Sequence, residues 1–292
     1  MANSDPALAA ALPLLESEIH FAEALVAEAG WNQTAKDWQA FLALGKVFAI
    51  RDGQSRVIAT AATLPFGGQF AWISMVLVTK EYQRKGLATQ LLRRCIDDIQ
   101  AAGLVPVLDA TPAGREVYRG LGFQNSWGFQ RYGRRETATP GVAAPHQPNL
   151  AIQPITDAIW PALCAYDASI FGADRSKLLA RLRGRAPAIE KFAERDGKIA
   201  GLLLGRDGRV ATQIGPLVAD DEEIARALLA QAVDAIPSQI FIDVADAKTA
   251  TIADLAARGF VPQRPLTRML LGRSKAFDDG VRTYAVVGPE FG

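Results

Sequence analysis

A chain of 292 residues with apolar content near half, 32 basic against 31 acidic side chains and a formal net charge of +1 reads as a globular protein, long for one domain and comfortable for two. That balance gives no global attraction to nucleic acid or to an anionic membrane, so neither is expected as a partner. No apolar stretch reaches the length of a membrane span, Met1–Pro6 carries no basic run, and Cys95 and Cys164 are too few for a disulfide framework. Free thiols, no metal and a cytoplasmic address are expected.

Residues 7–29 set apolar and acidic positions at helical spacing and are followed by Gly30, which predicts a first helix. Thr34 is placed to cap a second helix reaching about Leu44. Lys46–Ile50 and Arg56–Ala62 are β-type runs around Arg51-Asp52-Gly53-Gln54, a hairpin signal, and Gln69–Val78 is a further strand. Beyond a polar loop comes an amphipathic helix whose apolar face is Leu87, Leu91, Leu92, Cys95, Ile96 and Ile99, ending at Gly103. Val105–Ala110 predicts a buried strand, the segment after Thr111 a short helix closing on Gly120-Leu121-Gly122, and Trp127–Tyr132 a last strand. Glu136–Asn149, with three prolines and little apolar bulk, predicts a linker.

At the start of the amphipathic helix stands Gln83-Arg84-Lys85-Gly86-Leu87-Ala88. A helix N-terminus with unpaired amides, a residue without bulk and two cations together suit a pyrophosphate. The pattern Q/R-x-x-G-x-G/A between strand and helix resembles the coenzyme A loop of the GNAT superfamily, the acetyl-CoA-dependent N-acetyltransferases. Thr111 to Phe123 resembles the second signature of that family, N-x-x-A-x-x-L-Y-x-x-x-G-F, with Thr111 at the Asn position and Gly114 at the Ala position.

The resemblance implies acetyl-CoA as cofactor and transfer of its acetyl group to a primary amine of a small molecule. It implies that Gln83, Arg84, Lys85, Gly86, Leu87, Ala88 and Thr89 hold the pyrophosphate and that the backbone of Met75, Val76, Leu77 and Val78 pairs with the pantetheine. Thr111 and Gly114 become further cofactor contacts, and Tyr118 the general acid. The segment between the first two helices would border the acceptor, which makes Trp31, Asn32 and Asp37 candidates there. The alternative reading of these is that the tryptophans pack and Asp37 is a first-turn acid. No base is singled out among Glu18, Asp37, Asp109 and Glu116.

The second half repeats the first. An offset of 137 carries Leu87, Ala88, Leu91, Leu92, Asp97 and Ile99 onto Ile224, Ala225, Leu228, Leu229, Asp234 and Ile236, and Gly122-Phe123 onto Gly259-Phe260. Gln83 and Gly86 fall on Asp220 and Glu223, and Tyr118 on Leu255. Carboxylates at that helix start would repel a pyrophosphate, so this copy should not bind coenzyme A there. Asp167, Asp174 and Arg175 are candidates for reaching an acceptor, while Asp174 equally suits a helix cap.

The fold class expected is α+β (α/β): two tandem GNAT-like domains, each a mixed, mostly antiparallel twisted sheet flanked by helices. Residues 1–138 form the catalytic domain, 139–150 the linker and 151–292 the degenerate copy, in a monomer with an internal pseudo-dimer. The alternatives are a non-catalytic acyl-CoA-binding sensor and an interaction protein on a doubled scaffold.

Overall fold

The computed structural model describes residues 10–135 and 149–292, so most of the expected linker, His146 and the start of the expected first helix lie outside the described residues. The chain forms two compact units, one of Met1–Leu108 with Gly208–Val210, the other of Asp109–Asp207 with Ala211–Gly292.

In the first unit the strands β1 (Leu12–Pro13), β2 (Lys46–Arg51), β3 (Val57–Phe66), β4 (Phe70–Val78) and β5 (Val105–Ala110) neighbour one another in that order. All pairings are antiparallel except β4 with β5. The helices are α1 (Ile19–Glu28), α2 (Ala35–Leu44) and α3 (Leu87–Ala101). All six apolar-face residues named for α3 are buried, and the helix packs on β3 and β4. The first helix is shorter than the 7–29 periodicity suggests. Pro13 cannot donate within a helix, and Leu12–Pro13 pairs instead with Ala49 and Phe48 at a sheet edge, where a proline is tolerated; the helix proper begins at Ile19.

The second unit holds α4 (Pro112–Arg119), β6 (Phe123–Arg134), β7 (Leu150–Pro154), α5 (Trp160–Phe171), α6 (Ser176–Leu182), β8 (Lys191–Arg195) and β9 (Lys198–Arg206). It continues with β10 (Thr212–Ala219), α7 (Glu222–Asp234), β11 (Ile240–Ala245), α8 (Thr249–Ala257), β12 (Val261–Leu271) and β13 (Thr283–Ala285). The strand order is β12-β6-β11-β13-β10-β9-β8-β7, and only β10 with β11 is parallel. Each unit thus carries the mixed, mostly antiparallel sheet with flanking helices that the sequence leads one to expect.

The sequence repeat and the compact units partition the chain differently, because residues 109–134 precede the linker yet pack in the second unit. There β6 lies between β11 and β12, in register from Ile240↔Arg134 to Ala245↔Phe129 on one side. Polar groups on β6 have their partners in that unit. Arg131 makes a bidentate pair with Asp243 at 2.9 and 2.6 Å, and Gln213 donates to the same carboxylate at 3.0 Å. Arg134 donates to the carbonyls of Val233 and Ile236 at the end of α7. Phe129 is fully buried on the same strand.

Candidate functional site

The groove beside α3 begins with an irregularity in β4. Ala62 faces Ser74 and Thr60 faces Leu77, so Met75 and Val76 stand opposite Ala61 alone. This is a β-bulge, with Met75 in the left-handed region (φ 53°) and its carbonyl accepting from Thr60 Oγ1 at 2.9 Å. A bulge bends its strand, and β4 parts from β5 after three pairs, Phe70↔Val105 to Trp72↔Val107. Among the described residues no strand pairs with Met75–Val78 on the side away from β3.

The chain then turns through a one-turn 3-10 helix, Lys80–Tyr82, and is tethered twice. Lys80 N donates to Glu28 Oε1 at 2.7 Å, and Arg56 bridges Glu81 and Asp52. α3 starts at Gly86, whose φ of 82° suits glycine and which offers no side-chain cap. A Cβ there would meet nothing within 4 Å, so the residue serves the turn and keeps the mouth clear. The amides of Leu87, Ala88 and Thr89 take no partner among the described residues.

A cavity of about 330 Å³ lies at this point, lined by Val76, Val78, Gln83, Arg84, Gly86, Leu87, Ala88 and Thr89, all of them expected, and by Tyr82, which was not. Tyr82 carries Lys85 Nζ 4.8 Å over its ring. An aromatic in a polar loop immediately before Gln83 was the available signal. Met75 and Leu77, also expected here, are buried in the core and do not line this cavity. Gln83 turns back to donate to the Val78 carbonyl at 3.1 Å.

The remaining cofactor and catalytic candidates lie in the second unit. Thr111 caps α4, its Oγ1 accepting from Gly114 N at 3.2 Å. Any Cβ on Gly114 would come within 3.0 Å of the Tyr118 ring, so the glycine at this position seats the tyrosine. Tyr118 is half-buried, 6.1 Å from Phe123 between ring centroids, and burial pushes its phenol above the ordinary value. Its hydroxyl has no hydrogen-bond partner among the described residues.

The acceptor candidates are structurally engaged. Asp37 is fully buried and completes a capping box, accepting from Thr34 N at 2.8 Å. Asn32 is buried; its Oδ1 accepts from Val210 N and its carbonyl from Arg209 N, while Arg209 Nε donates to the Trp31 carbonyl at 2.9 Å. Sequence reasoning had no signal for the part Gly208–Val210 plays in the first unit. Asp167 and Arg175 form a buried bidentate pair at 2.8 Å, with Arg175 also donating to the Gly292 carbonyl. Asp174 is exposed and accepts from Ser176 N at 2.8 Å, a bond that holds its carboxyl below the usual range. Of the base candidates, Glu18 pairs with Arg51, Glu116 with Arg119, and Asp109 is buried in a bidentate pair with Arg268, burial lifting it to about 6.

The corresponding place in the second unit is closed. Asp221 caps α7 by accepting from Ile224 N at 3.0 Å, Glu222 accepts from Thr251 N, and Asp220 accepts from the Tyr166 hydroxyl at 2.9 Å. β10 and β11 also share three parallel pairs and part, but β13 fills the gap, with Ala285 opposite both Leu217 and Val244. Gly215 admits this segment, since a Cβ would lie 2.0 Å from the Val286 carbonyl oxygen. Among the described residues there is no group of side chains suited to hold a metal and no helix long and apolar enough to cross a membrane.

Comparison with known proteins relates both parts of the chain to acetyltransferases. The acetyltransferase (GNAT) family matches residues 15–123, and an acetyltransferase (GNAT) domain matches residues 163–285. YitH of Bacillus subtilis, an uncharacterized N-acetyltransferase, is 23% identical over 239 residues, covering 81% of this chain and 82% of that protein. A crystal structure from Pyrococcus horikoshii has a similar fold, with a TM-score of 0.78 at 18% identity over 97% of this chain and 95% of that one. So does a GCN5-related N-acetyltransferase from Sphaerobacter thermophilus, with a TM-score of 0.66 at 13% identity over 96% and 99%. A tandem GNAT protein from the clavulanic acid biosynthesis pathway has a TM-score of 0.60 at 15% identity over 89% and 97%.

Proposed function

The chain belongs to the GNAT superfamily and is an acyltransferase with two such domains in tandem, and from that premise we propose that it transfers an acetyl group from acetyl-CoA, held by the first unit, to a primary amine of a small molecule. The observation that supports this best is the uncapped start of α3 beside the unpaired edge of β4, a combination that the second unit lacks. Acetyl-CoA, when bound, supplies the acetyl group as an activated thioester. The amides of Leu87, Ala88 and Thr89 hold its pyrophosphate, with Arg84 and Lys85 adding positive charge at the mouth.

Backbone groups of Val76 and Val78 hold the extended arm along the strand edge. One of their N–H groups polarises the thioester carbonyl, an effect typically worth about 3 kcal/mol per donor. Tyr118 donates a proton to the departing thiolate, since a phenol is protonated at neutral pH. Thr111 and Gly114 act in this reading by fixing the start of α4 and seating that ring.

The test is calorimetry with coenzyme A, followed by free-thiol release from acetyl-CoA over a panel of amines. Wild type is expected to bind coenzyme A and to release thiol only with an amine present. Gly86→Glu, which sets a carboxylate at the helix start in a left-handed position, is expected to weaken binding by about 100-fold or more. Undiminished binding by that variant would sink the loop as the site.

A further inference from the structure

Glu28 is the last residue of α1, a place where the helix dipole favours a cation, and α1 has no basic side chain in its last turn. The helix itself therefore gives no reason for a carboxylate there. Its partner lies far along the chain: Oε1 accepts from Lys80 N at 2.7 Å. That amide, with the Thr79 side chain, holds the exposed Glu28 carboxyl below its ordinary value. Lys80 opens the 3-10 turn Lys80–Tyr82, and Thr79 before it makes no side-chain cap. Glu28 thus caps that turn from another element, satisfying an N–H that the turn leaves open.

The turn leads straight into the loop. Arg84 has a φ of 63° and Gly86 one of 82°, and at Arg84 that left-handed conformation carries a cost that glycine does not incur. Such a conformation persists when its surroundings hold it. The Gln83 side chain, on the Val78 carbonyl, holds the loop itself, and Glu28 holds the turn that feeds it. Only residues 81–86 separate Lys80 from the first amide of α3, so a displaced turn carries its shift into the helix start. The Glu28 charge has the wrong sign to attract a pyrophosphate, so electrostatics and positioning predict opposite effects of removing it.

Resting on the reading of the loop as the coenzyme A site, we propose that Glu28 is a positioning residue for the coenzyme: by capping the Lys80 turn it holds the loop from Gln83 to Ala88 ready for the pyrophosphate before a ligand arrives. Calorimetry with coenzyme A on wild type and variants tests this. Glu28→Ala is expected to weaken binding about fivefold at an unchanged stoichiometry, in line with the loss of one hydrogen bond and of preorganisation. Glu28→Gln keeps an oxygen that accepts from the amide and stays within about twofold of wild type. Lys80→Pro deletes the N–H itself where a first-turn proline is tolerated, the ψ of 145° at Thr79 being extended as a residue before proline requires. Adding Glu28→Ala to that variant changes its Kd by less than about twofold. Both positions are exposed, so the exchanges do not threaten the fold. Unchanged or tighter binding by Glu28→Ala, equal weakening by Glu28→Gln, a fall in stoichiometry in place of a rise in Kd, or additive effects of the two exchanges overturns this inference while leaving the loop site standing. Wild type that binds no coenzyme A overturns the loop site, and this inference with it.

Discussion

Tyr118 is suited to act as an acid because a phenol is protonated at neutral pH. Partial burial disfavours the phenolate and raises its pKa further, so at neutral pH the group is a donor and not a base. Tyr118→Phe keeps the ring on Gly114 and removes only the hydroxyl. We expect kcat to fall about 100-fold or more while the coenzyme A Kd stays within about twofold, and an unchanged kcat would remove Tyr118 from the mechanism. Arg131 and Asp243 are a different kind of residue pair, fully desolvated inside the second unit. Asp243→Asn leaves a buried guanidinium without its counter-charge, and urea unfolding is expected to show a loss of about 3 to 5 kcal/mol.

Elements decide where a cofactor can lie. α3 and α7 occupy equivalent places in the repeat, yet one begins on a left-handed glycine with free amides and the other on Asp221, which satisfies the Ile224 amide itself. An amide spent on a cap cannot hold a phosphate. The entry to α1 has its own tie to the sheet, Glu18 accepting from Arg51 Nε at 2.7 Å. The Arg51 hydrogen bond holds the Glu18 carboxyl below its ordinary value. A carboxyl depressed in the folded state contributes stability that is present above its unfolded pKa and lost as the pH falls through the folded one. Glu18→Gln is therefore expected to cost on the order of 1 kcal/mol at pH 7, with the gap to wild type narrowing as the pH drops below about 4. Thermal unfolding across pH checks it; a gap that does not change with pH would show that the ion pair is not its source.

For the whole molecule, the two halves have one scaffold and different fates. We expect one coenzyme A per chain by calorimetry. Restoring the loop chemistry of the second copy with Asp220→Gln and Glu223→Gly is expected to leave that ratio at one, because β13 fills the gap between β10 and β11. A ratio of two in that variant would show the strand to be displaceable. The sequence by itself determined the tandem repeat, the buried face of α3, the hairpin at Arg51-Asp52-Gly53-Gln54 and the loop from Gln83 to Ala88. These were legible because periodicity, turn chemistry and an uncapped helix start are properties of neighbouring residues. Only the tertiary structure decided that β6 pairs with β11 and β12, that Arg209 and Val210 bond to Trp31 and Asn32, and that Thr283–Ala285 closes the second cleft. Each of those joins residues far apart in the chain, where burial and backbone pairing choose the partner and no local pattern announces it.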